Sequence, residues 1–288
     1  MDDSWTVGGL LNWTAQFLTK KGVEFPRLDS EVLLAHVLNC RRIDLYGARH
    51  GEVVSEEVRG TLRDLIKRRV EGCPVAYLVG RKEFFSLTLE VSPAVLIPRP
   101  DTELVVAECL KWAGPLPAPR VLDIGTGSGN IAVAVARQHP GAVVTAVDLS
   151  AAALKVAKRN AERHGLASRL RFLEGDLFAA IPAGERFDFI LSNPPYIASG
   201  DLAGLPVGVR DYEPHLALDG GPGGYAVFDR LVAAAPAYLA PGGYLLVEIG
   251  APQEKTAREH IAARGAYELG ETVHDYSGHP RVLRARLR

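Results

Sequence analysis

The sequence predicts an α/β fold, a doubly wound and mostly parallel sheet preceded by a small helical bundle and a β-hairpin. Three observations predict it. From Arg120 onward short apolar strands alternate with helical stretches, the signature of βαβ units. From Ser4 to about Val79 the apolar residues recur at helical spacing instead. Between them EFFSLTLEVSPAVLI, Glu83 to Ile97, alternates aromatic and β-branched residues as strands do. At 288 residues, 47% hydrophobic and 23% charged, the chain can bury a core in each of two unequal domains.

In order along the chain, Leu10, Leu11, Phe17 and Leu18 mark a first helix. Val32, Leu33, Leu34, Val37 and Leu38 mark a second, capped by Asp29 or Ser30, and Val58, Leu62, Leu65 and Ile66 a third, capped by Ser55. Pro93, Pro98 and Pro100 stiffen the passage out of the hairpin. A helix then runs from Thr102 to about Trp112 and cannot continue through GPLPAP. Strands are expected at Arg120 to Ile124, Val143 to Asp148, Arg171 to Glu174, Phe187 to Ser192, Gly243 to Ile249 and Arg281 to Leu287. The last is short and edged with arginines, which suggests an outer or antiparallel strand. The domains expected are a helical one over 1–82, a hairpin linker over 83–100 and the sheet domain over 101–288.

Composition excludes several classes of protein. A formal net charge of −1 gives no global attraction to nucleic-acid phosphates or to an anionic membrane. Cys40, Cys73 and Cys109 form no Cys-x-x-Cys pair, and His164, His215, His274 and His279 share no metal-ligand spacing, so no metal is expected. The opening MDDSWTVGGLLNW has acids where a secretory leader has basic residues, and no apolar run is long enough for a bilayer. A cytoplasmic protein with reduced thiols is the expectation.

The first chemistry-bearing segment is VLDIGTGSGNIAVAVA, an apolar strand that ends in a glycine-rich turn and opens an alanine-rich helix. Gly125, Gly127 and Gly129 let a ligand approach the backbone, and the N–H groups at the helix start favour a negative group. That arrangement fits several cofactors, a nicotinamide dinucleotide among them. The second strand ends in Asp148, where an acid can accept from two vicinal ribose hydroxyls, with Ser150 as the competing helix cap. After the third strand, Asp176 reads equally as an acceptor for an adenine amino group or as a cap.

The fourth strand runs into Asn193-Pro194-Pro195-Tyr196 at the carboxyl edge, where open α/β sheets bind ligands. An amide or aromatic amine nitrogen is a poor nucleophile because its lone pair is delocalised. A protein can hold such an NH2 group on two acceptors, the Asn193 side-chain oxygen and the Pro194 carbonyl, and aim it at an electrophilic carbon. Prolines hold the carbonyl rigidly, and the Tyr196 ring can pack on the planar group. The proton leaves to water once transfer has begun, so no catalytic His or carboxylate is required.

The glycine turn, the strand-ending acid and Asn-Pro-Pro-Tyr together resemble the class I S-adenosylmethionine-dependent methyltransferases that act on NH2 groups. LIPRPDTE (Leu96 to Glu103), SNPPYI (Ser192 to Ile197) and VRDYEPHLAL (Val209 to Leu218) followed by DGGPGG narrow the resemblance to the release-factor glutamine N5-methyltransferases, over nearly the whole chain. The resemblance implies a seven-stranded sheet behind a helical bundle and a hairpin. It implies S-adenosylmethionine as cofactor, with S-adenosylhomocysteine as product and no metal. The substrate implied is the glutamine of the Gly-Gly-Gln motif of peptide chain release factors, methylated on N5. Gly125, Thr126, Gly127, Ser128, Gly129 and Asp148 would then hold the methionine and ribose parts, and Asp176 and Leu177 would border the adenine, Leu177 through its backbone. Asn193 would touch both cofactor and substrate, and Asn193, Pro194, Pro195 and Tyr196 would bind the glutamine amide, with Asn193 and Pro194 catalytic.

Arg99, Asp101 and Glu103 read as a charged helix start or as part of a cleft, and Arg210 and Glu213 as loop-ordering ion-pair residues. The Lys67-Arg68-Arg69 run reads as a solvated helix face or as a contact to a release factor or the ribosome. The partners expected are release factors, with no membrane, no direct nucleic-acid binding and a monomeric state. A nucleic-acid N6-adenine or N2-guanine methyltransferase is the alternative, since a flipped base offers the same planar NH2 group. A non-catalytic cofactor-binding module is a third possibility.

Overall fold

The computed structural model describes residues 5–288; Ser4, where the helical pattern begins, lies outside them. Packing divides the chain into a helical unit, residues 1–80 with Pro206–Tyr212, and a sheet unit, Arg81–Leu205 with Glu213–Arg288.

The helical unit contains α1 (Val7–Lys20), α2 (Pro26–Val37), α3 (Glu56–Val70) and α4 (Val75–Val79). Leu11, Leu18, Leu33, Leu34 and Leu62 are among its fully buried side chains. Thr6 caps α1 by accepting from the Gly9 N–H at 3.1 Å, and Ser55 caps α3 from Val58 at 3.4 Å. Helix α2 is not capped by Asp29 or Ser30. Pro26, whose ring presets a helical φ, starts it a turn earlier. Asp29 is instead buried against Arg69 Nε at 2.7 Å, and the Ser30 hydroxyl donates back to the Pro26 carbonyl. Arg69 is thereby taken out of the solvated basic run.

The sheet unit opens with a hairpin, β1 (Arg81–Phe84) and β2 (Leu87–Glu90), much shorter than the expected stretch to Ile97. Its turn residues Phe85 and Ser86 both have positive φ, 48° and 60°, a geometry that usually selects Asn and Gly. The Glu103 carboxylate accepts from the Phe85 N–H at 2.8 Å and holds the turn. Asn160, fully buried, accepts from the Glu90 N–H at 2.7 Å and donates to both the Glu90 and Ser128 carbonyls. One side chain thus ties the hairpin to the glycine turn.

The chain continues through α5 (Glu103–Ala113), β3 (Arg120–Ile124), α6 (Asn130–Gln138), β4 (Val143–Asp148), α7 (Ala151–Arg163), β5 (Leu170–Glu174) and β6 (Phe187–Ser192). After the short α8 (Val207–Arg210) come α9 (Ala226–Ala234), β7 (Leu239–Glu248), α10 (Glu254–Ala262), β8 (Tyr267–Leu269), β9 (Val273–His274) and β10 (Pro280–Leu287). The strands run in the order β5-β4-β3-β6-β7-β10-β8, seven in line, with β9 paired to β10 off that path. β3 to β7 are parallel and β10 is antiparallel. As anticipated β10 is antiparallel, but it is not outermost, because β8 pairs beyond it.

Both faces of the sheet are covered, which is why its strands read as continuous apolar runs. Val121, Val144, Phe189 and Leu191 pack with α5 and α6 on one face. Leu122, Ile190, Leu245 and Val247 pack with α9 and α10 on the other. Strand order reverses between β3 and β6, so the carboxyl ends of these two strands flank the crevice where such sheets bind ligands.

Candidate active site

At that crevice the sheet unit has a cavity of about 270 Å³. Its wall includes Gly125, Thr126, Gly127 and Ser128 after β3, Asp148 after β4, Asp176 and Leu177 after β5, and Asn193, Pro194 and Pro195 after β6. Gly129 and Tyr196 are not in that wall. Gly129 instead caps α6 at φ 78°, where a Cβ would come within 3.1 Å of Ala157 on α7. Tyr196 is part-buried beside the end of β7, and burial with the nearby Glu248 charge pushes its phenol up to about 12.

The turn is shaped by hydrogen bonds to β4. Gly125 and Thr126 donate to the Val147 carbonyl at 2.9 and 3.0 Å, and Gly127 donates to Asp148 Oδ2 at 2.8 Å. Asp148 Oδ1 accepts from the Ser150 N–H at 2.9 Å, while the Ser150 hydroxyl accepts from Ala153 and caps α7. Ser150 is therefore the cap, and Asp148 keeps lone pairs for the cavity. No helix follows Asp176, which sets the capping role aside. Asp176 pairs with Arg230 at 2.6 Å, and Leu177 next to it has φ 51°, the kind of backbone strain that gathers at ligand sites.

The Asn-Pro-Pro-Tyr loop is held on several sides. The buried Ser192 hydroxyl donates to the Ile124 carbonyl at 2.8 Å. Asn193 Nδ2 donates to the Thr102 hydroxyl at 3.1 Å. Gly220 donates to the Ile197 carbonyl and Ile197 to that of Leu218. Gln253 Nε2 donates to the Tyr196 carbonyl at 3.0 Å. This is the use of DGGPGG, since a Cβ on Gly224 would stand 2.3 Å from the Tyr196 carbonyl oxygen. Gly224→Ala is expected to displace the loop and lower kcat about 100-fold while cofactor affinity changes little, as steady-state kinetics beside calorimetry would read.

Thr102, Glu248 and Asp123 gave no signal in the sequence, unlike Arg99, Asp101 and Glu213 near them. Thr102 and Glu248 are buried, and the Thr102 hydroxyl accepts from Asn193. Asp123 is fully buried beneath the turn, where its Oδ2 accepts from the Thr126 hydroxyl at 2.6 Å and from Ala132. Glu213 is buried, accepts from the Ile97 N–H at 3.0 Å and pairs with Arg99, whose side chain lines the cavity. Asp101 pairs with Arg281 at 3.0 Å. Among the described residues no cluster of metal-ligating side chains is found, and no helix is long and apolar enough to cross a membrane.

Burial raises both Asp123 and Glu248 from the ordinary carboxylate range to about 7. The folded protein therefore keeps two protons that the unfolded chain releases between about pH 4 and 7, and stability from these groups falls as pH rises through that window. Each contributes on the order of 1–3 kcal/mol. The apo protein should melt lower at pH 8 than at pH 5.5, with a shallower pH slope in Glu248→Gln; equal slopes by calorimetry would contradict this.

The strand order, the glycine turn below the ribose-type acid and the loop at the neighbouring strand end define a class I methyltransferase. Among solved structures the fold is shared with a Thermus thermophilus 16S rRNA N2 G1207 methyltransferase, at 22% identity and a TM-score of 0.52 over 72% of this chain and 50% of that one. It is shared also with the ribosomal protein L11 methylase of Lactobacillus delbrueckii, at 18% identity and a TM-score of 0.50 over 69% and 84%. Residues 9–80 match the PrmC N-terminal domain and 102–204 the methyltransferase small domain. The chain is 44% identical to the release factor glutamine methyltransferase of Rhodopirellula baltica over 98% of its own length and 96% of the relative's. It is 44% identical to that of Geobacter sulfurreducens over 98% and 97%. It belongs to the release factor glutamine methyltransferase family.

Proposed function

We propose that this protein transfers the methyl group of S-adenosylmethionine to the side-chain amide nitrogen, N5, of the glutamine in the Gly-Gly-Gln motif of peptide chain release factors, acting as a cytoplasmic monomer. The observation that carries the reading is the engagement of the Asn193 side chain. Its nitrogen is occupied by Thr102, which leaves its oxygen as an acceptor on a residue of the cavity wall.

The residues present fit the cofactor. A Cβ at Gly127 would meet no protein atom within 4 Å, so the turn is an open cradle, and the buried Ser128 hydroxyl has no protein partner. Gly125, Thr126, Gly127, Ser128 and Gly129 would hold the methionine part, Asp148 the ribose hydroxyls, and Asp176 with the Leu177 backbone the adenine edge. Bound there, S-adenosylmethionine supplies an electrophilic methyl group on a positive sulfur. Asn193 Oδ1 and the Pro194 carbonyl accept the two N–H bonds of the glutamine amide, while Pro195 and Tyr196 shape its seat. Two acceptors fix the orientation of the amide nitrogen, which would present its face to the electrophilic methyl group. The nitrogen so held would be the nucleophile toward that methyl group, and would shed its extra proton to water, so that no side-chain base is required.

The helical domain, 1–82, would orient the release factor and take no part in the chemistry, with the stretch 83–100 joining it to the transferase domain, 101–288. Exposed Trp13, Phe25 and Ile43 give it apolar surface for that purpose. The test is intact mass and peptide mapping of a release factor incubated with the protein and S-adenosylmethionine. A single methyl on the Gly-Gly-Gln glutamine is expected, and at a far higher rate than on a free Gly-Gly-Gln peptide. Methyl appearing on RNA or DNA instead would overturn the proposal, and equal rates on factor and peptide would remove the orienting role.

A further inference from the structure

We propose that the β1–β2 hairpin is part of the S-adenosylmethionine site, and that Asn160 is the positioning residue through which it keeps the glycine turn in its binding shape. The proposal rests on the reading of that turn as the seat of the methionine part of the cofactor.

The first half of the turn is fixed from β4, by the Val147 carbonyl and the Asp148 carboxylate. The second half rests on α7. Ala157 lies 3.1 Å from where a Cβ on Gly129 would stand, and three residues on, along the same helix face, Asn160 Nδ2 donates to the Ser128 carbonyl at 2.8 Å. At a regular helix start the Ala132 N–H would reach that carbonyl, but it is given to Asp123 Oδ2 at 3.2 Å. Asn160 supplies the donor instead. It is fully buried and stands outside the cavity wall, so the Ser128 carbonyl is directed into the protein while Ser128 itself lines the cavity.

Asn160 is in turn set by the hairpin. Its other N–H donates to the Glu90 carbonyl at 3.0 Å, and its oxygen accepts from the Glu90 N–H at 2.7 Å. A residue on a neighbouring strand would pair with Glu90 in the same way. With both N–H bonds and the oxygen engaged the amide has one orientation, and every partner is a backbone group. The hairpin is itself firmly seated, because Phe84, Leu87 and Leu89 are buried in the core that α5 and α6 share.

A second part of the wall depends on the same strand. Beyond Glu90 the chain runs on to Ala94, Val95 and Leu96, which line the cavity. Glu90 thus serves the site twice, through its chain and through its two bonds to Asn160. Its own side chain is needed for neither, since the carboxylate pairs with the half-exposed Arg159 at 2.6 Å, where an ion pair contributes little. Without Asn160 the Ser128 carbonyl loses its donor and can swing toward the cavity, against the negative group that the helix start favours.

The experiment measures calorimetric S-adenosylmethionine affinity, kcat at saturating cofactor and KM for an intact release factor in the wild type, Asn160→Leu, Arg159→Ala and Gly127→Val, with thermal melting to confirm the fold. Asn160→Leu keeps the volume and removes the bonds to Glu90 and Ser128. Its Kd for the cofactor should rise about 10- to 100-fold, while kcat at saturation and KM for the factor stay within a few-fold. Arg159→Ala breaks the adjacent ion pair between α7 and the hairpin and should keep the wild-type Kd. Coupling is reciprocal, so saturating cofactor should slow hydrogen exchange of the Glu90 amide in the wild type by about 10-fold or more. A folded Asn160→Leu with the wild-type Kd, an equal loss in Arg159→Ala, or a Glu90 amide that cofactor leaves unmoved would each overturn the assignment. Should Asn160→Leu fail to fold, hydrogen exchange in the wild type decides alone. Gly127→Val, whose side chain would enter the open cradle, separates the two readings. If it abolishes cofactor binding beside a wild-type Kd in Asn160→Leu, only the role of Asn160 and the hairpin falls; if it leaves cofactor binding intact, the reading of the turn falls.

Discussion

Asn193→Ala lowers kcat by about 100- to 1000-fold and leaves S-adenosylmethionine affinity within a few-fold of wild type. The expectation follows from which atoms are occupied. Asn193 Nδ2 is committed to Thr102, so truncation removes the one side-chain acceptor at the strand end and leaves Pro194 to hold one N–H alone. A glutamine amide with one acceptor rotates, and misplacing a poor nucleophile by about 1 Å costs on the order of 100-fold. The loss should fall on kcat rather than KM, because the interaction matters when the nitrogen is aimed. Single-turnover kinetics with calorimetry would read it, and an equal loss in cofactor affinity would show Asn193 to be chiefly a cofactor residue.

The opposite split is expected for Asp148→Ala. Its two oxygens hold Gly127 at 2.8 Å and Ser150 at 2.9 Å, so the carboxylate both shapes the glycine cradle and offers lone pairs to a ribose. Hydrogen bonds to a charged group contribute roughly 1.5–3 kcal/mol each, so losing the acid should raise the Kd for S-adenosylmethionine by about 100-fold or more. At saturating cofactor kcat should return close to wild type, since the Asn193 loop is untouched. Wild-type affinity in Asp148→Ala would remove the ribose assignment. Together the two variants divide the cavity into a half that binds and a half that aims.

What the sequence made legible was what depends on near neighbours. β3, β4 and β6 are buried on both faces and read as apolar runs, and the turn after β3 announces itself by glycines. The Asn193 loop stands out because two prolines end a strand. The rest depends on partners far apart in the chain. Thr102 meets Asn193 across 91 positions and Glu90 meets Asn160 across 70, and no local pattern marks either pair. Glu248 looks like a polar end to a strand until the fold buries it. The Phe85–Ser86 turn lacks the glycine that would betray it, because Glu103 supplies the compensation. Pro26 outweighs the better capping residues behind it, and β8 and β9 are too short for any periodicity.

The grouping of Pro206–Tyr212 with the helices gives the molecule an unusual connectivity. The backbone leaves one unit for the other at residues 80, 205 and 212, so the two are threaded and not strung end to end. Gly208 packs on the Gly72 carbonyl, where a Cβ would come within 3.1 Å, and the Tyr212 hydroxyl donates to the Glu71 carbonyl at 3.1 Å. Removal of the first 80 residues is therefore not a clean excision, because it strips this returning stretch of its packing partners. That stretch begins nine residues after Ile197, which closes the Asn193–Tyr196 loop. Docking of a protein on the helices would have in it a short covalent tether to the backbone proposed to hold the glutamine.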